Sequence, residues 1–454
     1  MGLLYIAFYV SYWTIKAFMN YYFIMKSYFD LLSINKKDYK YFFYKLKEGP
    51  DLKHIVLLPV YNEPYDVIDD AVASIVKAEY PYKENIIVLL AVEERWGPAV
   101  KNATKVLKKY ENKDIKIEMI VHPDGIPNEG KVKGANITYA VKEYIKGKEL
   151  DEHLTYVSTI DTDTKVDKNF FLIANYTYLT TDYRDHAIYQ YNPVYSNNRH
   201  KGTFFARLIA MGTTFRQLSE SQNPEFYRNF AVYGQSLYCL KKSHYWSLDS
   251  IVEDGLQYWR SYFAFDSLFR IVNVPAVCHM DLVEEENFVK SVKAQYKQLR
   301  RWSWGASDVE YVIPEFYKNK KITLLEKFRK TLYLLLNHMF WASASFMFLF
   351  IGYYPGLSLS VSDSISTFAV PISISMLASV LFLTIFFPSL LSILIMRKYT
   401  SFRKRDYLIN VLQWILIPFL KMTLFSIPAI ESQFRLFTGK RLDNFEVTKK
   451  MSRK

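Results

Sequence analysis

Two carboxylates, Asp161 and Asp163, stand where the apolar run HLTYVSTI (153 to 160) ends. Two earlier apolar runs end the same way: Glu63, within Tyr61-Asn62-Glu63-Pro64, follows HIVLLPV (54 to 60), and Glu93-Glu94 follows NIIVLLAV (85 to 92). Carboxylates gathered at successive strand ends form a negative pocket. Its hard oxygen ligands suit Mg²⁺ or Mn²⁺, and through such a cation a diphosphate. A D-x-D by itself is equally the composition of a solvated turn. Lys131 and Lys133 precede a helix that starts near Ala135, where a cation and free N–H groups favour phosphate. Lys131 reads at least as well as a plain loop lysine. Glu253-Asp254, taken alone, reads as a carboxylate pair placed at a helix N-terminus by the dipole. His279, at the end of IVNVPAVCHM (271 to 280), reads as a satisfied histidine rather than a metal ligand.

These residues need a scaffold that brings strand ends together. Between about residues 50 and 315 short β-rich runs alternate with amphipathic stretches, which predicts an α/β fold with a mostly parallel sheet. The runs at 54 to 60 and 85 to 92 are continuous apolar strands. Between them Val67, Ile68, Ala71, Val72, Ile75 and Val76 share one helix face. KIEMIV (116 to 121) and the run at 153 to 160 supply two more strands, separated by a helix from about Ala135 to Ile145. In such open sheets ligands bind at the carboxyl ends of the strands. KSVKAQYKQLRRWSWG (290 to 305) predicts a further helix.

The chain has 454 residues, 50% of them hydrophobic and 17% aromatic, which excludes a disordered or collagen-like chain. A mean hydropathy of −0.06 hides segregation, because apolar residues concentrate at both ends. Residues 3 to 25 are long enough to span a bilayer and carry only Lys16; a retained anchor at residues 1 to 30 is predicted, with the basic run after it on the cytoplasmic side. Residues 331 to 353 and 367 to 396 predict two further spans. Residues 407 to 430, broken by Pro418, Lys421 and Pro428, predict an interfacial or re-entrant segment, which leaves the basic tail at 435 to 454 in the cytoplasm. The organisation expected is therefore a cytoplasmic domain at 50 to 315 and interfacial and transmembrane helices at 316 to 434. The net charge of +13 falls largely around the apolar ends, where it orients a chain in a membrane and calls for no nucleic-acid partner. Cys239 and Cys278 read as buried apolar side chains without metal or disulfide spacing. Three sequons, at Asn102, Asn136 and Asn175, would not meet the glycosylation machinery in a cytoplasmic domain.

With this order of parts the chain resembles the membrane-integrated family 2 glycosyltransferases, the group of cellulose, hyaluronan and mannan synthases. The resemblance rests on Leu58 to Pro64, Glu93-Glu94, Gly130 to Asn136, Asp161-Thr162-Asp163 and Val252-Glu253-Asp254. It continues through Gln298-Leu299-Arg300-Arg301-Trp302 in Q-x-x-R-W form and Phe445 to Lys450 in F-x-V-T-x-K form. It implies a GT-A-type nucleotide-sugar-binding domain with N- and C-terminal transmembrane helices, using Mg²⁺ or Mn²⁺. By resemblance Asp254 is the base, with Glu253 as its support, and Asp163 holds the metal, with Asp161 sharing it or positioning the nucleotide. Tyr61, Glu63, Glu93, Glu94, Lys133, Asp161 and Arg301 bind the nucleotide sugar, while Gln298 and Trp302 mark the acceptor. Phe445, Val447 and Thr448 gate the nucleotide pocket. These roles fit the side chains: a guanidinium forks onto diphosphate oxygens, and an indole offers a sugar ring an apolar face. Trp304 is a weaker glycan candidate, and Arg300 reads as surface charge on a basic helix. Val252 stands where the family usually has Thr.

The resemblance implies an inverting transferase that adds a sugar from a UDP or GDP donor to a growing polysaccharide, with translocation through the membrane. Two alternatives stay open at this point: single transfer to a lipid phosphate or lipid-linked oligosaccharide, and a catalytically silent glycan-binding scaffold. The partners implied are the donor, a glycan or lipid-linked acceptor and the lipids of the cell membrane. The sequence sets no oligomeric state.

Overall fold

The structure is a computed structural model that describes residues 2–34, 36–358, 386–399 and 404–442, with the single positions 379 and 451. Phe445, Val447 and Thr448, and most of the 367 to 396 stretch, lie outside the described residues. Two helices, α1 (Gly2–Ile34) and α2 (Tyr39–Lys45), lead into the sheet. The continuous apolar runs become β1 (Lys53–Val60), β2 (Ile86–Glu93), β3 (Lys116–His122) and β4 (Thr155–Thr159), linked by α3 (Tyr65–Lys77), α4 (Gly97–Tyr110) and α5 (Lys133–Ile145). They pair in parallel in the order β3-β2-β1-β4, with β1 and β2 in register from His54↔Ile86 to Val60↔Val92.

The second half of the domain continues with β5 (Lys165–Val166), α6 (Phe170–Leu179), β6 (Ala187–Tyr195), α7 (Phe204–Glu220), β7 (Tyr233–Ser236), α8 (Leu237–Lys242), α9 (Glu253–Phe265), β8 (Arg270–Met280) and α10 (Phe288–Ser303). The sheet is mixed: its long pairings are parallel, as the sequence predicts, and three short antiparallel ones join them. β7 runs antiparallel between β4 and β6, and β5 antiparallel against β8, while β6 and β8 are parallel. The turning strand, Tyr-Gly-Gln-Ser, is too short and polar to carry a strand signal of its own.

Alternation along β1 divides the core. Val56, Leu58 and Val60 pack with α3 and α4 on one face, and Ile55 and Leu57 pack with α5 and α9 on the other. Both cysteines are free and buried in this core, and so are Asn136 and Asn175 of the sequons.

After α11 (Asp308–Lys318) and α12 (Leu324–Ser358) come a helix at Phe386–Tyr399 and a helical run from Lys404 to Phe437. α1 meets α12 edge to face through Tyr9 and Trp13 on Phe340, and stacks Tyr21 on Phe387. Among the described residues one helix, Asp406–Phe437, is long and apolar enough to cross a membrane. The predicted spans at 3 to 25 and 331 to 353 lie on the helices α1 and α12. Pro418 and Pro428 do not break the last run. A 3₁₀ turn at Gln413–Leu416 and a π-helical turn at Lys421–Ser426 absorb the missing N–H groups instead.

Candidate active site

A cavity of about 300 Å³ opens at the carboxyl ends of β1, β2 and β4. Strand alternation determines which side chains reach it. Glu93 continues the face of Leu89 and Ala91, which pack under α5, and so points into the cavity; Glu94 is exposed, and its carboxylate accepts the Asp124 N–H (3.1 Å). Of that pair, only Glu93 lines the site. Glu93 pairs with Arg95 (3.2 Å) and approaches His122 (3.4 Å), which itself meets Glu129 (2.9 Å). Arg95 lies over the Tyr61 ring, 5.0 Å from its centroid, and Tyr61 stacks on Trp96 at 5.8 Å. Glu63 also lines the cavity, although one carboxylate oxygen accepts the N–H groups of Tyr61 and Asn62 and holds the loop after β1.

Lys133 is the first residue of α5, and Gly134 lets that helix end approach closely: a Cβ there would overlap the Ser247 carbonyl. The Lys133 ammonium sits 3.0 Å from Asp161, 3.0 Å from Glu253 and 3.2 Å from Asp254. Burial opposes its charge, but the three carboxylates outweigh burial and raise its pKa well above that of an ordinary lysine. Burial lifts Glu253 to about 7, against the pull of Lys133. Asp254 also accepts the Ala231 N–H (3.2 Å), which a left-handed backbone at Ala231 (φ 52°) directs at it, and its own carbonyl accepts from Asn229 (2.5 Å). Both acids are also the first two residues of α9, so the helix-terminus reading holds alongside the clustered one.

Asp161 and Asp163 follow β4 in a turn closed by the Thr164 N–H onto the Asp161 carbonyl (2.8 Å), with Thr162 donating to Pro59 (2.5 Å). Asp163 is only 3% exposed at the cavity wall, and the carboxylate charges beside Tyr195 add to burial in raising that phenol's pKa. α10 contributes Gln298, Arg301 and Trp302, with Trp302 edge-on to Phe230 at 5.6 Å. Trp304 does not join them; it packs with Val132, Ala135 and Ile251. Arg300 pairs with Glu431 on the last helical run (2.8 Å), and Lys131 with exposed Asp124 (3.2 Å). His279 is satisfied between Asp167 (2.9 Å) and Ser196 (2.7 Å).

The sequence motifs, Glu94 and the undescribed tail excepted, thus converge on one cavity. A model of the family described as glycosyl transferase family group 2 matches residues 156–426, more than half of the chain. The chain belongs to that family. No curated protein sequence matches it. Among solved structures, the mannosyltransferase PcManGT of Pyrobaculum calidifontis, in complex with GDP-Man and Mn²⁺, is similar at 10% identity and a TM-score of 0.47, over 97% of this chain and 100% of that one. TarS of S. aureus, residues 1–349, is similar at 14% identity and a TM-score of 0.37, over 86% and 93%. Its complex with UDP gives 13% and 0.37, over 78% and 93%.

The glycosyltransferase cavity also reaches residues that no motif flags. Tyr195, Arg95, Arg216, Arg228 and Asp308 line it, and its far end abuts Tyr333, His338 and Trp341 of α12. The loop after β2 brings Arg95 there, the segment after α7 brings Arg228, and β6, α7, α11 and α12 bring the others. Strand parity was the one usable signal, since it favours Glu93 over Glu94.

Proposed function

We propose that this glycosyltransferase is a membrane-integrated GT-A-type enzyme of the synthase group. It would transfer one sugar from a UDP or GDP donor to a glycan with inversion, and extend the product processively. The carrying observation is Lys133, held between Asp161, Glu253 and Asp254 in the cavity that Tyr61, Arg301 and Trp302 also line. Asp254 takes the proton of the acceptor hydroxyl as that oxygen attacks the anomeric carbon opposite the leaving diphosphate, and this direct displacement inverts the centre. Glu253, buried behind it, helps hold Asp254 and Lys133 in place. Lys133 and Arg301 meet the diphosphate as its charge develops. Tyr61, Glu63 and Glu93 bound the nucleoside end, and Gln298 and Trp302 the acceptor end.

Asp163 and Asp161 fit a divalent cation: both offer hard oxygens at the cavity wall, and Mg²⁺ is commonly held by one or two carboxylates plus substrate phosphates. No group of three or more His, Cys, Asp or Glu side chains forms a closed metal cage among the described residues, which suits a cation that arrives with the donor. When bound, the cation offsets diphosphate charge.

The catalytic unit spans residues 50 to 315 and the membrane module 1 to 30 and 316 to 434. The exposed apolar side chains of α1 and of the last helical run, such as Phe8, Ile15, Phe419 and Phe434, support a lipid-facing module. The tail at 435 to 454, with Phe445, Val447 and Thr448, stays cytoplasmic and closes over the nucleotide. The test is a screen of UDP and GDP sugars on the purified full chain with Mg²⁺ or Mn²⁺, followed by product sizing and linkage analysis. Polymer is expected; a single-sugar lipid product under excess donor would refute processive synthesis.

A further inference from the structure

A buried histidine stands behind the cavity wall at Glu93. Glu93 meets both of its basic neighbours through one oxygen: Arg95 Nε lies 3.2 Å and His122 Nδ1 3.4 Å from Oε2. Among the described residues Oε1 takes no hydrogen bond or ion pair, so it is the oxygen left for a ligand. His122, the last residue of β3 and 6% exposed, has its other ring nitrogen, Nε2, 2.9 Å from Glu129 Oε2. A neutral imidazole carries one N–H and one lone pair and can donate to only one of these carboxylates, whereas the imidazolium donates to both. Burial opposes its charge, but hydrogen bonds and charge from Glu93 and Glu129 outweigh burial and raise the His122 pKa above the ordinary 6.5. From α5 the Tyr139 ring packs on it at 5.1 Å, and Glu94, Asp124 and Lys131 on the flanking segments are exposed.

Resting on the glycosyltransferase reading above, we propose that His122, clamped by Glu129, is a positioning residue for the donor: as an imidazolium it fixes the Glu93 carboxylate with Oε1 towards the nucleobase, and it releases that carboxylate on losing its proton. Uracil and guanine both present a ring N–H beside a carbonyl, an edge that a carboxylate oxygen can meet only in one orientation. The remaining N–H of a neutral ring stays on the shorter contact, to Glu129, and turns the Nδ1 lone pair towards Glu93 Oε2. Two electron pairs then face each other in a buried place, and Glu93 rotates away. Donor affinity is therefore full while His122 is protonated and declines as pH rises through its pKa, above 6.5. Neither His122 nor Glu129 lines the cavity, so both act through Glu93 and not on substrate.

The test uses the purified full chain in detergent, with UDP-glucose and GDP-mannose as probes because their diphosphates keep one charge across the range of the titration. Affinity for the donor that binds should fall by about three- to tenfold as pH rises, the scale of one hydrogen bond. Glu253, lifted to about 7, titrates nearby, but Glu129→Gln does not touch it. That variant should move the midpoint of the fall down by about one pH unit or more, the effect of losing one adjacent charge, and His122→Gln should abolish the His122 part of the slope. By linkage, bound donor should raise the His122 pKa, read from the ring nitrogens in ¹⁵N-histidine NMR, by the same factor. A flat affinity in the native protein, an unmoved midpoint in Glu129→Gln, or a His122 pKa indifferent to donor would overturn the positioning role. Absence of binding by both donors and by UDP and GDP would instead remove the transferase reading beneath it.

Discussion

Lys133 contacts Asp161, Glu253 and Asp254 at once, so Lys133→Met leaves three carboxylates facing one another without that cation in a buried site. Breaking such a buried arrangement costs about 3–5 kcal/mol. The melting temperature should therefore fall clearly, and fall less at pH 5, where Glu253, lifted to about 7, carries a proton. An equal loss at pH 5 and pH 8 would contradict the assignment. Asp308 gives a second pH signature. Its pKa rises from 3.8 in the unfolded chain to about 8 in the folded one, so the native state holds the extra proton between those values. Stability should thus fall as pH climbs from about 4 to about 8 and level off above, and Asp308→Asn should flatten that slope; parallel slopes in thermal melts would refute it. Of these two residues only Lys133 was legible in the sequence, through its place before a helix start and the family resemblance over Gly130 to Asn136. Asp308 sits in no motif, and its burial depends on α11 closing over Gly255, a long-range contact.

The elements deliver the residues by simple rules. Continuous apolar strands fix a parallel half-sheet, its carboxyl ends collect acids, and α5 must begin close to the 247 to 249 loop for Lys133 to reach them. Gly134 permits that approach. Gly134→Ala should shift the start of α5, lower stability by about 1–3 kcal/mol as overpacking does, and raise the KM for donor more than it lowers kcat. Unchanged donor KM would mean that Lys133 does not depend on this contact. The parallel strands and α5 were readable because local periodicity dictates them. β7 was not, because four polar residues become a strand only between β4 and β6. Nor was the φ of 52° that turns the Ala231 N–H onto Asp254. The prolines at 418 and 428 were legible as breakers, yet 3₁₀ and π turns carry the helical run through them.

The whole molecule joins a polar sheet domain to helices whose outer faces are apolar. α1 is tied to the domain by Ser27 on Ser221 (3.1 Å) and by Asn20 accepting from Ser219 (3.1 Å), which fixes it against α7. The chain should stay in the pellet when membranes are washed with alkaline carbonate; release into the supernatant would contradict a spanning module. The central claim is that one cavity joins a nucleotide-sugar donor to a base at Asp254. Transfer from a UDP or GDP sugar by the purified full chain, compared between the native protein and Asp254→Asn with nucleotide affinity measured on both, tests it most directly. The expected result is loss of transfer by about 10²–10⁴-fold in the variant, with nucleotide binding retained; transfer at the native rate in Asp254→Asn would contradict it.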